Sequence, residues 1–248
     1  MSPDTDTDTH PLDNPVWAAL SGPHRDFAVS GGRAARYRTD ANPFAALDDP
    51  DDPRAWEDLA ALVGPGTEVW LTGLPTPPAG WETVLAVPGV QLDGSAVPGE
   101  PAPEAVRLGA ADVPEMLDLV RLTEPGPFLP RTVELGTYLG IRHEGRLVAM
   151  AGERMRPPGW TEISAVCTHP DHRGKGLAAR LIRAVAAGIR ERGDVPFLHA
   201  AAGNVNAIRL YTSMGFVLRR EPVFIGVRTP GAPDAPDAPD APADEKKA

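Results

Sequence analysis

Residues 104–229 are predicted to form a mixed α/β domain, and three observations predict it. Helical and strand periodicities alternate there in the order βαβββαβαββ. A glycine-rich turn joins a strand to a long helix near residues 168–179. Biased segments, acidic or proline-rich, bracket the chain and leave this stretch uninterrupted.

Taken in order, residues 1–13 hold four Asp and no Lys or Arg, and read as disordered. Residues 14–97 read as a smaller N-terminal α/β lobe. Short strands are predicted at 27–29 and 68–71. A helix is predicted over 55–63, with Trp56, Leu59, Ala60 and Val63 on one face. Gly64, Pro65 and Gly66 stop it, and 48–53 (DDPDDP) is loop. Residues 98–103 (PGEPAP) form a linker.

The main domain opens with a strand at 105–108. An amphipathic helix follows over 111–122, with Val113, Met116, Leu117 and Val120 inward. Strands at 138–142 and 147–155 flank Glu144-Gly145, a hairpin signal. A strand at 160–168 leads through a loop at 169–173 into a helix over 174–192, ended by Gly193. A strand at 197–201, a helix over 206–214 ended by Gly215, and strands at 216–219 and 223–227 complete the domain. The Ala-Pro-Asp repeat of 230–248 blocks helix and sheet pairing and reads as a disordered, solvated tail.

The chain has 248 residues and a formal net charge of -10, of which the two ends supply -7. The net charge argues against generic binding to nucleic acid, which needs a basic face, while the folded part is close to neutral and its total charge says little about its ligand. One cysteine, Cys167, excludes an internal disulfide and a Cys-based zinc cluster. No stretch approaches the ~20 apolar residues that span a bilayer. The first residues lack the apolar core of a signal peptide, so a cytoplasmic protein is expected.

The sharpest chemistry lies in TEISAVCTHPDHRGKGLAA, residues 161–179. A helix start leaves backbone N–H groups without intrahelical partners, at the positive end of the dipole. Gly174 and Gly176 let the backbone approach an anion, and Arg173 and Lys175 add charge. The Walker pattern is absent, and a dinucleotide GxGxxG would need Gly where Ala179 stands. A phosphate or pyrophosphate outside those two classes is indicated. Further on, NVNAIRLYTSMGF (204–216) places Asn204 at a helix start and Tyr211 two turns later on the same face.

Together these segments resemble the GNAT superfamily of acyl-CoA-dependent N-acetyltransferases, closest to its FR47-like branch. Its [RQ]-x-x-G-x-[GA] signature is matched by Arg173-Gly174-Lys175-Gly176-Leu177-Ala178, and its N-x-x-A-x-x-L-Y-x-x-x-G-F signature from Asn204 to Phe216. The resemblance covers residues 104–229. It implies a mostly antiparallel central sheet flanked by helices, preceded by a degenerate GNAT-like lobe at 14–97. It implies acetyl-CoA as co-substrate and a primary amine as acceptor, in a monomer or homodimer with no metal. Val166, Cys167 and Thr168 would pair through their backbone with the pantetheine arm. Arg173, Gly174, Lys175, Gly176, Leu177, Ala178 and Ala179 would hold the pyrophosphate. Asn204 would touch the cofactor where two strands splay, and Tyr211 would be the general acid. Two rival readings are a different acyl-CoA donor and a catalytically inactive CoA-binding module.

An amine must be neutral to attack, so a base is useful. Glu162 is the first choice, eleven residues before Arg173, as in histone-acetylating members of the superfamily. Unbroken alternation would put Glu162, Ser164 and Val166 on one strand face. His199 and Glu153 compete with it. Ribosomal-protein acetylating relatives carry a glutamate where His199 stands. Cys167, alone in mid-strand, reads as a small buried hydrophobe rather than a nucleophile. The pair His169 and His172 reads as part of the phosphate loop rather than a metal site. Residues 125–130 (PGPFLP) stand where the family builds its acceptor groove, and Phe128 and Leu129 could line it.

Overall fold

The computed structural model describes residues 10–73 and 76–231. The acidic start (1–9) and most of the repeat tail (232–248), both expected to be disordered, lie outside the described residues. Residues 10–13 are ordered, which corrects that expectation. Pro11–Asp13 make a 3-10 turn, Leu12 is fully buried, and its carbonyl accepts from Gln91 Nε2 at 2.9 Å. One leucine with a place to pack outweighs the polar residues around it.

Helix α1 (Pro15–Leu20) begins on Asn14, whose side chain accepts from the Trp17 N–H. A small antiparallel sheet follows: β1 (Ala28–Gly31), β2 (Ala34–Tyr37) and β3 (Ala45–Leu47). Helix α2 (Pro53–Val63) is capped by Asp52 and buries Ala55, Trp56 and Leu59.

A nine-stranded sheet forms the body. Its strands are β4 (Glu68–Thr72), β5 (Glu82–Asp93), β6 (Val106–Leu108), β7 (Tyr138–His143), β8 (Arg146–Glu153), β9 (Trp160–Thr168), β10 (Val195–Ala201), β11 (Val217–Arg220) and β12 (Val223–Arg228). The order is β4-β12-β5-β10-β9-β8-β7-β6, with β11 also beside β5. Its strand pairs are antiparallel except β9 with β10. Helices α3 (Val113–Thr123), α4 (Leu177–Glu191) and α5 (Val205–Ser213) complete it.

Strand β5 has no counterpart in the sequence reading, because Pro88-Gly89 at its middle reads as a breaker. Here the strand changes partners at that point. Residues 82–88 pair with β12, and 89–93 lie between β10 and β11. The sheet therefore continues across the 98–103 segment, with β5 inserted between strands that follow it in sequence.

Helix α4 starts at Leu177, not at 174, so both turn glycines stand outside it. It buries Leu177, Leu181, Ile182, Val185, Ala186 and Ile189 against one sheet face, together with Tyr211 and Phe216. Under α3 a second cluster joins Met116, Leu119, Phe128, Tyr138, Met150, Ala165 and Cys167. Within α3, Met116 and Leu119 are the buried positions, while Leu117 and Val120 pack only partly.

Candidate active site

Strands β9 and β10 pair in parallel only from Val195↔Trp160 to Phe197↔Glu162. Beyond that point they part. Strand β9 runs on to Thr168 with its β10-facing side unpaired, and β10 turns toward β5. The gap narrows to Glu162 at one end and opens toward the α4 turn at the other.

At the open end, Gly174 (φ 77°) and Gly176 (φ 73°) both take the left-handed conformation. Glycine adopts it without the Cβ penalty that other residues incur. Gly176 caps α4 with no side chain, so the N–H groups of Leu177, Ala178 and Ala179 keep their side-chain-free approach. The Arg173 side chain folds back to donate to the Thr168 carbonyl at 3.3 Å. Lys175 Nζ lies 3.4 Å from His172 Nδ1.

A bulge interrupts β9. Met150 faces Cys167 and Gly152 faces Ser164, leaving an extra residue on β9, and Ala165 has φ 51°. This corrects the alternation expected for Glu162, Ser164 and Val166. Val166 packs on the α4 side with Ile163, whereas Ala165 and Cys167 join the cluster under α3. Glu162, one residue from Ile163, points the other way from Val166.

Tyr211 of α5 is buried, with its ring edge-on to Phe216 at 5.9 Å. Burial, with Cys167 adding to it, pushes its phenol up to about 12. Burial also pushes the Cys167 thiol up to about 11, against the lowering contacts of Thr123 and Met150. Cys167 is thus a protonated, enclosed thiol. Asn204 accepts from the Ala207 N–H at 3.2 Å and caps α5.

Glu162 sits in surroundings unlike those of an open base. It is 0% exposed. Its two oxygens accept from Arg154 Nε and Nη2, each at 2.8 Å, and Oε1 also meets His199 Nδ1 at 2.8 Å. Burial alone would raise its pKa, but the Arg154 charge and the hydrogen bonds from Arg154 and His199 outweigh it and bring it to about 2. Arg154 is itself buried, with its guanidinium 5.3 Å from the Phe44 ring centre.

His199 is closed as well. Gln91 Nε2 donates to the Leu12 carbonyl and lies 3.0 Å from His199 Nε2, while Gln91 Oε1 accepts from Arg219. The amide therefore presents an N–H to His199, which makes Nε2 the acceptor and Nδ1–H the donor to Glu162. Its one ring lone pair is taken. Glu153, the third choice, pairs with Arg192 Nη2 at 2.8 Å and accepts from the Thr137 N–H at 3.3 Å.

Arg154 and Gln91 escaped the sequence reading. Arg154 had a signal: the β8–β9 hairpin register sets it opposite Glu162, and Arg154 N–H donates to the Glu162 carbonyl at 3.1 Å. Gln91 had none, because it arrives from a distant strand. Among the described residues no grouping of three or more metal-ligating side chains occurs, and no helix is long and apolar enough to cross a membrane.

Residues 138–225 match the family model of FR47-like proteins. A protein of Novosphingobium aromaticivorans DSM 12444, assigned to the GNAT acetyltransferases, is 46% identical, with 88% of this chain and 98% of that chain covered and a TM-score of 0.80. The GCN5-related N-acetyltransferase of Kribbella flavida shares the fold at 20% identity, with 88% and 95% covered and a TM-score of 0.57. No curated protein matches the chain.

Proposed function

Because the chain belongs to the GNAT family of acetyltransferases, we propose that it moves an acetyl group from acetyl-CoA to a primary amine by direct attack. The observation that carries this reading is the parting of β9 from β10 beyond Phe197↔Glu162, with the glycine turn at its open end. In this reading the pyrophosphate rests on the N–H groups of residues 176–179, and the pantetheine arm extends the free side of β9 along Val166, Cys167 and Thr168. The arm thus supplies the hydrogen bonds that β10 withholds.

The amine nitrogen attacks the thioester carbonyl carbon, and the C–S bond then breaks. The departing thiolate takes the Tyr211 proton. A phenol raised to about 12 stays protonated across the working range and can fill that role. The nitrogen gives up its extra proton to water, and solvent restores the Tyr211 proton. Glu162, expected from sequence as the base, is here an anchor that holds Arg154 and His199 at the closed end of the gap.

Calorimetric titration with acetyl-CoA tests the donor, with Gly176→Glu as control. A side chain and a negative charge at a left-handed anion-binding position should abolish binding. Longer acyl-CoAs in the same titration decide the chain length. Thiol release with an amine panel then tests transfer, and Tyr211→Phe should lower kcat by about 10²-fold or more while acetyl-CoA affinity holds. Equal binding by wild type and Gly176→Glu would end the reading.

A further inference from the structure

Three histidines meet beside the glycine turn. His143 ends β7 at the β7–β8 hairpin, and His169 and His172 stand between β9 and α4. The ring centres of His143 and His172 lie 4.9 Å apart, and those of His169 and His172 lie 5.9 Å apart. Lys175 stands between Gly174 and Gly176 and brings Nζ to 3.4 Å from His172 Nδ1. An ammonium can only donate, so Nδ1 is the acceptor, and His172 is neutral with its proton on Nε2. The Asp171 N–H occupies His169 Nδ1 in the same way, at 3.3 Å. Among the described residues these side chains do not form a grouping able to hold a metal.

The charges around His172 explain its neutral state. Lost hydration, then Lys175, then His143 and His169 hold its pKa below the usual 6.5, against Asp171, which raises it. Asp171 Oδ2 lies 3.8 Å from His169 Nδ1, and Glu144 Oε1 lies 4.0 Å from His143 Nε2. Arg146 pairs with His143 in the hairpin register, and Arg173 is turned to the Thr168 carbonyl. An anion beside the imidazole would reverse this balance, because a nearby negative charge favours the protonated ring. Access is open: residues 173–176 are exposed and His172 is half-buried. An anion at the turn therefore meets Lys175 and His172 together, with no rearrangement of the core.

We propose that His172 is a proton-coupled contact for a phosphate of the acyl donor: the phosphate draws Lys175 away from Nδ1, and the freed nitrogen takes a proton from solvent and donates it in a hydrogen bond to a phosphate oxygen. No covalent bond forms or breaks apart from that protonation. The proposal rests on the acetyl-CoA reading above and adds a pH-linked donor affinity to it. The pKa of His172 is then higher in the complex than in the free protein, so binding takes up a proton. Affinity is greatest at low pH and declines as pH rises through the pKa of the complex. The linkage acts on the KM for acetyl-CoA and leaves the amine profile at saturating donor untouched.

Calorimetric titration with acetyl-CoA, in buffers of low and high ionisation enthalpy, counts the protons exchanged. Low ionic strength is used, because salt screens exposed charges. At about pH 6.5 the wild type should take up about half a proton or more, and its affinity should fall about threefold or more by about pH 8.5. A donor whose own phosphate lost a proton on binding would give release, the opposite sign. His172→Asn keeps an acceptor for Lys175 and cannot be protonated. It should abolish the uptake, weaken binding about threefold or more at about pH 6.5, and match wild type at about pH 8.5, with an unchanged Tm. Dephospho-acetyl-CoA, which lacks the 3′-phosphate, identifies the phosphate. Uptake that persists assigns the pyrophosphate to His172, uptake that disappears assigns the 3′-phosphate, and either supports the proposal. No net uptake by the wild type, or the same uptake and pH dependence in His172→Asn, would overturn it and leave acetyl-CoA binding standing. A wild type that does not bind acetyl-CoA would sink the donor reading and this proposal with it.

Discussion

Replacing Glu162 by Gln keeps the size of the side chain and removes its charge. In the wild type, three N–H groups from Arg154 and His199 converge on that carboxylate, in a site with no access to water. The amide oxygen of Gln can accept only part of this set, and its NH2 must face a donor. Arg154 is then a buried cation without a counter-charge. Breaking a buried pair from one side typically costs ~3–5 kcal/mol. The lowered pKa of Glu162 points the same way. Glu162 falls from 4.5 to about 2, which at 1.36 kcal/mol per unit corresponds to about 3 kcal/mol. The expected loss for Glu162→Gln at pH 7 is therefore about 3 kcal/mol, or roughly 6–12 °C in Tm for a chain of this size.

The sign of the pH dependence follows from the direction of that shift. Because the folded pKa is depressed, the unfolded chain binds more protons between pH 4.5 and about 2. The contribution of Glu162 is complete above pH 4.5 and is lost as pH falls through that window. Urea unfolding of both proteins from pH 7 to pH 3 measures it. The wild-type advantage should hold near 3 kcal/mol down to about pH 5 and shrink below it. Adding Arg154→Met should recover much of the loss, since the stranded charge goes with it. A loss under about 1 kcal/mol at pH 7, or a double variant no better than the single one, would refute the ion-pair argument.

Two further outcomes follow from the same geometry. With Glu162, His199 and Glu153 all engaged, kcat/KM should rise with pH toward the pKa of the amine itself, near ~8 for an α-amino group and ~10.4 for a lysine. A shared break near pH 6–7 for both kinds of amine would instead reveal an enzyme base. Gly152→Ala should cost about 1–3 kcal/mol by overpacking against the Tyr138 ring, and Tyr138→Leu in that background should restore stability. Urea unfolding checks both, and an unaffected Gly152→Ala would mean that the ring does not lie over β8.

Much of the domain was legible because its signals are local. The bounds of β9 match the sequence reading, since the run 160–168 is rich in β-forming residues and ends at a clear loop. Helix α4 shows a buried stripe at helical spacing, and only its start was misplaced, because a glycine turn carries no marker of where the first hydrogen-bonded turn begins. Strand β5 was hidden by Pro88-Gly89. That dipeptide breaks a strand with one set of partners, but β5 exchanges partners at that point.

The candidate site divides along the same line. The glycine turn was readable because Gly174 and Gly176 act on their own backbone, and the order of the two signatures follows the chain. The surroundings of Glu162 were not. The β8–β9 hairpin brings Arg154 across from it, β10 brings His199, β5 brings Gln91, and residues 10–13 supply the carbonyl that orients the Gln91 amide. Whether a carboxylate is an open base or a closed anchor depends on its dielectric and on the donors that reach its lone pairs. Sequence alone therefore determined the strand, the glycine turn and the helix that the turn opens. Tertiary structure decided which ionisable groups remain free to act, because desolvation and hydrogen-bond geometry arise only when distant strands meet.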